Sequence, residues 1–173
     1  TNLISEREKI SHWNQISCLE SRKEYHLLGK HLFINAKALL YACAFFKLNE
    51  ETRIYKTAIS ILNEELNEQF LEDGGHFELS PMYHSLAMED LLDLISISDQ
   101  LPSNFPKEVI REKFVKGMQW LQTMIYNNEE LAHFNDCANG IAPTFSKLVN
   151  YASELGIILP NLDVPKFSYH KSS

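Results

Sequence analysis

The spacing of apolar residues constrains the fold of this chain more than any other feature of its sequence. Apolar side chains recur every three or four positions along most of the 173 residues, which places them on one face of an α-helix. Two clear stripes are Leu32, Ala36, Leu39, Leu40, Cys43 and Phe46, and Ile110, Phe114, Met118, Leu121 and Ile125. No stretch alternates apolar and polar residues for long enough to predict a β-strand. The sequence therefore predicts an all-α fold.

Capping and turn residues divide this pattern into six predicted helices. Ser5 and Glu8 have the spacing of a capping box, and Ser80 followed by Pro81 is typical of a helix start. The predicted helices are Ser5–Glu20, Leu32–Phe46, Glu50–Phe70, Ser80–Ser98, Lys107–Tyr126 and Pro143–Leu155. Because most of the connections are short, we expect neighbouring helices to form antiparallel αα-hairpins.

The overall charge argues against nucleic acid as a partner. The formal net charge is -7, whereas a general nucleic-acid-binding domain carries a basic surface. An anionic sugar stays compatible with this charge, because a local cationic patch can lie on an acidic protein. No apolar run reaches the roughly 18 residues of a membrane-spanning helix, so we expect no membrane span. The sequence begins at Thr1 without a signal-peptide pattern, which leaves the localisation open.

The three cysteines, Cys18, Cys43 and Cys137, are far apart in the sequence and odd in number. They predict no closed disulfide framework. Cys43 lies in an apolar stretch, so we expect it to be a small buried residue of the core.

Three segments are more polar than their positions in the helical pattern require. Leu28–Ala38, at the entrance to the second helix, carries His31 and Asn35, which share a helix face because they are four residues apart. His133–Pro143 is a dense polar loop of the kind that lines a binding site. For both segments the alternative is structural, with these side chains capping helices or satisfying nearby backbone groups.

The remaining polar segment, Asp73–His84, contains two glycines that permit unusual backbone angles. Tyr83 and His84 then fall in the first turn of the fourth predicted helix, whose positive dipole end stabilises an ionised phenol or a nearby acidic sugar. The alternative is a plain turn with a helix cap, in which Tyr83 packs against the core and His84 is hydrogen-bonded.

We predict neither a metal site nor a cofactor. Side chains with suitable ligand chemistry are present, but their spacing matches no zinc or calcium motif. They are Asp73, His76, His84, His133 and Asp136. No glycine pattern of a nucleotide-binding loop and no nucleophile elbow occurs.

Taken together, the three segments resemble heparinase II/III-like polysaccharide lyases. In that family the corresponding stretches read LGNHL..NAKAL, DGGHFE.SPMYH and FND.A.GIAP, with similar separations. Here they are Leu28–Ala38, Asp73–His84 and Phe134–Pro143. The resemblance extends from Arg22 to Gly156, and its long middle motif makes chance agreement improbable.

The resemblance implies a fold and a reaction. Residues 1–156 would be the C-terminal part of an α/α-toroid, and residues 157–173 an extended tail that leads to a C-terminal β-sandwich domain missing from this chain. The full-length protein would cleave an acidic polysaccharide or oligosaccharide by β-elimination at a uronic acid, and this piece is not expected to act alone. A typical lyase of this kind would be periplasmic or secreted in a bacterium, although a cytoplasmic location stays open.

The same motifs imply which residues form the site. Tyr83 would be the catalytic base, the acid, or both, and His31 would neutralise the carboxylate or transfer a proton. Substrate-binding or orienting roles fall to Lys30, Asn35, His76, Glu78, His84 and Asn135.

One position departs from the family pattern. Lys30 stands where the family has the asparagine expected to bind the carboxylate, which indicates altered or lost lyase activity. Two alternatives to a lyase therefore stay open. One is a non-catalytic carbohydrate-binding relative involved in surface-polysaccharide metabolism, and the other is a helical interaction scaffold whose polar loops are structural.

Overall fold

The computed structural model of the protein describes residues 4–22, 31–126 and 130–160. The helices in these ranges are α1 (Glu6–Ser21), α2 (His31–Phe46), α3 (Arg53–Gln69), α4 (Pro81–Ile97), α5 (Lys107–Thr123) and α6 (Phe145–Glu154). A short 3-10 helix, Ser98–Gln100, follows α4, and no strand occurs in the ranges given. The predicted all-α class is confirmed. None of the helices described has the length and apolar character needed to cross a lipid bilayer.

Helix starts agree with the predicted signals at some positions and differ at others. Ser5 caps α1 through the predicted capping box, in which the Glu8 carboxylate accepts a hydrogen bond from the Ser5 backbone N–H at 2.7 Å. α3 begins at Arg53, later than predicted, and a turn precedes it, in which Asn49 Oδ1 accepts a hydrogen bond from Glu51 N–H at 3.1 Å.

The chain forms two compact units. The first consists of Thr1–Gln69 and Ser96–Lys107, and contains α1, α2, α3 and the 3-10 helix. The second consists of Phe70–Ile95 and Glu108–Ser173, and contains most of α4 and α5 together with α6.

The core of the first unit lies between α2 and α3. The predicted stripe of α2 supplies fully buried side chains, Cys43 among them, although Leu32 and Phe46 at its two ends are only half-buried. Burial raises the pKa of the Cys43 thiol to about 11. Tyr55 of α3 is buried as predicted and donates a hydrogen bond from its hydroxyl to Asn104 Oδ1 at 2.6 Å.

The core of the second unit is built on α4 and α5. All five residues of the predicted α4 stripe are buried, namely Ala87, Met88, Leu91, Leu94 and Ile95. Helix α4 also buries polar side chains, including His84 and Ser85, so it has almost no solvated face near its start. A helix surrounded in this way is fixed by its neighbours on every side, which suits it to hold a functional residue in place.

Candidate functional site

The segment before α4 forms a tight turn that we call the glycine loop (residues 70–79). Leu71 N–H donates to Gly75 O at 2.9 Å, and Gly74 N–H donates back to Leu71 O at 3.1 Å. Asp73 Oδ1 accepts a further hydrogen bond from Gly75 N–H at 2.9 Å. Gly74 has φ +93°, a backbone conformation that residues other than glycine rarely adopt. These bonds fix the shape of the loop.

The glycine loop lies directly on the backbone of α5. A Cβ atom at Gly74 would come within 2.5 Å of Lys116 O, and one at Gly75 within 3.0 Å of Trp120 Nε1. Both glycines therefore permit a close approach that larger residues prevent. The loop in turn determines where α4 begins.

His84, in the first turn of α4, is completely buried. Its Nε2 lies 2.9 Å from Gly117 O, and its ring centroid lies 4.5 Å from that of Trp120. Because a carbonyl oxygen can only accept, Nε2 carries the proton in this hydrogen bond. Burial lowers the pKa of His84 to about 4, so the ring is neutral at physiological pH. Its Nδ1 is then an acceptor, and it has no hydrogen-bond partner among the described residues.

Gly117 allows α4 and α5 to approach closely at this point. A Cβ atom there would lie 2.4 Å from Met88 Sδ and 3.4 Å from His84 Cε1. A glycine inside a predicted helix is a signal of such an approach, so Gly117 could have been recognised from the sequence. Trp120 and Ser85 were also missed, and no local pattern distinguishes them from ordinary core residues.

His76 is also completely buried, and it packs among aromatic rings. Its ring centroid lies 5.7 Å from that of Phe70 and 4.9 Å from that of Phe77. Its Nδ1 accepts a hydrogen bond from the backbone N–H of Glu78 at 3.4 Å. The Glu78 side chain is half-buried. These contacts indicate that His76 supports the glycine loop from within.

The loop of residues 133–143, which we call the FND loop, contacts the glycine loop and α4. Asn135 Nδ2 donates to Leu79 O at 2.8 Å, and Ser85 Oγ donates to Pro143 O at 2.6 Å. Two of the three polar segments therefore meet in one region. Their contacts are at Leu79 and Ser85, which lie on either side of Tyr83 in the sequence. The Tyr83 side chain is half-buried.

The prediction that Ser80 caps the start of α4 is wrong. The helix begins at Pro81 as expected, but the Ser80 hydroxyl forms no side-chain cap. Ser80 Oγ is buried and has no hydrogen-bond partner among the described residues. The contacts of the glycine loop, rather than a capping hydroxyl, fix this helix start.

The residues predicted from the first polar segment belong to the other unit. His31 is the first residue of α2 and is exposed, whereas Asn35 is buried with its Nδ2 unpaired within the described ranges. Lys30 lies outside the described residues. Joint action of these residues with Tyr83 stays a prediction.

Two of the histidines considered as metal ligands have other hydrogen-bond partners. His84 is bound to Gly117 O, and His133 Nε2 lies 3.0 Å from Asn139 Oδ1 on the exposed FND loop. Over the ranges that the structure covers, no group of three or more His, Cys, Asp or Glu side chains is arranged to hold a metal ion.

The chain matches the family described as heparinase II/III N-terminus over residues 13–168. Heparin-sulfate lyase from Bacteroides stercoris is 37% identical over 89 residues, which cover 50% of this chain and 13% of that protein. Heparin-sulfate lyase from Pedobacter heparinus is 33% identical over 86 residues, which cover 48% of this chain and 13% of that protein. The matched part is thus a small fraction of each relative's length.

No solved structure gives a significant match to the chain. The family match nevertheless covers most of the sequence and includes the glycine loop, the start of α4 and the FND loop. The chain therefore belongs to the heparinase II/III family.

Proposed function

We propose that this chain forms the Tyr83 region of a polysaccharide lyase that cleaves a glycan containing uronic acid by β-elimination. The two relatives named heparin-sulfate lyase support a sulfated or carboxylated polysaccharide as the substrate class. The activity belongs to the whole protein, because the match spans only 13% of each relative. In this proposal residues 1–156 are part of an α/α-toroid and residues 157–173 lead to a β-sandwich domain.

The observation that carries the proposal is the way the start of α4 is held. The glycine loop lies on the α5 backbone, His84 is bonded to Gly117 O, and Ser85 is bonded to Pro143 O. Tyr83 lies between these fixed points and keeps part of its side chain accessible. A catalytic group needs this combination, because its position must be rigid while its reactive atom reaches substrate.

The reaction requires two proton transfers. A base removes the proton from C5 of the uronate, and the electron pair of that C–H bond forms the C4=C5 double bond. The bond between C4 and the glycosidic oxygen breaks, and an acid protonates the departing oxygen. Neutralisation of the uronate carboxylate stabilises the enolate-like anion formed on the way.

In this scheme the phenol of Tyr83 transfers the proton at C5, at the leaving oxygen, or at both. His31 neutralises the carboxylate or takes part in proton transfer, and Glu78 contributes to binding, whereas Asn35 is buried and has an orienting role. The complete burial of His84 and His76 favours orienting roles for both, since neither ring is accessible to a sugar.

The test is the product formed by the full-length protein from acidic polysaccharides such as heparin, alginate and bacterial surface glycans. β-Elimination leaves an unsaturated uronate at each new non-reducing end, and this group absorbs ultraviolet light. Growth of the absorbance supports the proposal. Reducing ends that appear without the absorbance indicate hydrolysis and refute it.

A second candidate function is sugar binding without catalysis, and Lys30 favours it. In the family the asparagine at this position is expected to bind the carboxylate, and lysine there either supplies a cation in place of the neutral amide or fills the pocket. If the substitution disables the enzyme, Lys30→Asn in the full-length protein raises turnover above that of the wild type. Unchanged turnover in that variant rejects this explanation.

A further inference from the structure

Two residues other than glycine with left-handed backbone conformation meet at the end of the glycine loop. Leu79 has φ +53° and Asn135 has φ +50°, and the Asn135 side chain is bonded to Leu79 O. Asparagine tolerates this conformation, whereas leucine rarely adopts it. Such strain persists only where the surroundings impose it, and it is common at ligand sites.

Two large apolar side chains, one on Leu79 and one next to Asn135, are exposed to solvent. Leu79 is 55% exposed, and Phe134, which directly precedes Asn135, is 57% exposed. The hydrogen bond between Asn135 and Leu79 O joins the two backbone segments that carry these side chains. Leu79 is also four residues before Tyr83 in the sequence, at the end of the loop that leads into α4.

We propose that Leu79 and Phe134 form a sugar-binding face, which packs against the C–H side of a pyranose ring adjacent to the ring that reacts at Tyr83. This inference rests on the proposed function and names a binding subsite of the same site. One side of a pyranose presents mainly C–H groups, so an exposed aromatic ring covers it while the hydroxyl groups at the rim stay hydrated.

The surroundings of the face suit a sugar. The exposed polar side chains of His133, Asp136 and Asn139 belong to the same FND loop. Hydroxyl groups need hydrogen-bonding partners beside an apolar contact, and binding sites for small polar ligands combine the two. Two apolar side chains also match the area of one sugar ring better than the larger area of a stable protein interface.

Asn135 is a positioning residue in this arrangement. The resemblance implied that it binds substrate, but its Nδ2 donates to Leu79 O and thereby holds both members of the sugar-binding face.

The test compares Phe134→Ala with wild type in the full-length protein, with a heparin hexasaccharide as substrate. The expected result is about a tenfold rise in KM with little change in kcat, because the contact is equally present in the ground state and the transition state. Phe134→Trp retains the wild-type KM. Tyr126→Ala is the matched control, since Tyr126 is an aromatic residue of the same unit with 55% exposure, and its KM stays at the wild-type value.

Calorimetric titration of the same hexasaccharide measures binding without turnover when both proteins also carry Tyr83→Phe, which removes the proposed proton-transfer group. Equal affinity and equal KM for Phe134→Ala and wild type overturn the sugar-binding face, while unsaturated products from the wild type leave the proposed function intact. An equal loss in Tyr126→Ala also overturns the assignment, because the effect is then not specific to this face. A wild-type protein that neither cleaves nor binds the hexasaccharide refutes the sugar-binding face for this glycan, and the wider glycan panel then decides the lyase function separately.

Discussion

The contact between the glycine loop and α5 makes a strong prediction about Gly74. In Gly74→Ala the new Cβ lies 2.5 Å from Lys116 O and 2.7 Å from Lys116 C, and real Cβ contacts are not this short. Both atoms belong to the backbone of a helix, so no side-chain rotation relieves the overlap. The loop must therefore move away from α5, and the start of α4 moves with it.

Two costs add in this variant. Alanine at φ +93° costs roughly 1–2 kcal/mol, and the overlap with a packed neighbour costs roughly another 1–3 kcal/mol. Gly140→Ala is the matched control, because Gly140 has φ +78° but no atom within 4 Å of its added Cβ. The control therefore carries only the backbone cost. The reduced entropy of the unfolded chain is similar in both variants and cancels in their difference.

Equilibrium urea denaturation of the chain measures both variants. We expect Gly74→Ala to lower the free energy of unfolding by about 1–3 kcal/mol more than Gly140→Ala, with similar m-values. In the full-length protein, we expect Gly74→Ala also to reduce the proposed lyase activity, since Tyr83 follows the displaced loop. If Gly74→Ala loses no more stability than Gly140→Ala, the glycine loop does not lie on α5 as described.

Two further predictions concern buried titratable groups. The pKa of His84 is about 4 in the folded protein and 6.5 in the unfolded chain, so the unfolded chain binds more protons between these pH values. The free energy of unfolding therefore has its full value above pH 6.5 and falls by up to about 3 kcal/mol as the pH drops to 4. His84→Gln should flatten this part of the profile in urea titrations at several pH values, and an unchanged slope would rule out His84 as its source. Cys43 is fully buried with its pKa raised to about 11, whereas Cys18 is exposed, so a thiol reagent should modify Cys18 in the native protein and Cys43 only after unfolding. Mass spectrometry of the modified peptides measures the order, and rapid native labelling of Cys43 would contradict its burial.

The helices and their buried faces could be predicted because both depend on local spacing. The stripe from Ala87 to Ile95 is buried as expected, and α5 begins at Lys107 as predicted. Helix ends were less accurate where polar residues compete for caps. Asn49 accepts a hydrogen bond from Glu51 N–H in the turn before α3, and Ser80 does not cap α4.

The arrangement of the candidate site could be predicted only in part. The Tyr83 motif predicted a turn followed by a helix start, which the structure shows, but the partners that hold this region come from distant positions in the chain. Gly117 is 33 residues from His84, and Asn135 is 56 residues from Leu79. Such contacts depend on how helices pack, and no short pattern in either segment specifies them. The left-handed conformation of Leu79 is likewise imposed by its neighbours and has no signal in the leucine itself.

The role of Tyr83 is tested most directly by Tyr83→Phe in the full-length protein, compared with Tyr126→Phe as a control on an exposed tyrosine. The ultraviolet absorbance of unsaturated uronate is followed during digestion of an acidic polysaccharide. We predict that Tyr83→Phe lowers kcat by about 100-fold or more, because a proton-transfer group is lost, while Tyr126→Phe retains wild-type activity. Wild-type kcat in Tyr83→Phe would show that the proton is transferred elsewhere and would contradict the central role given to Tyr83.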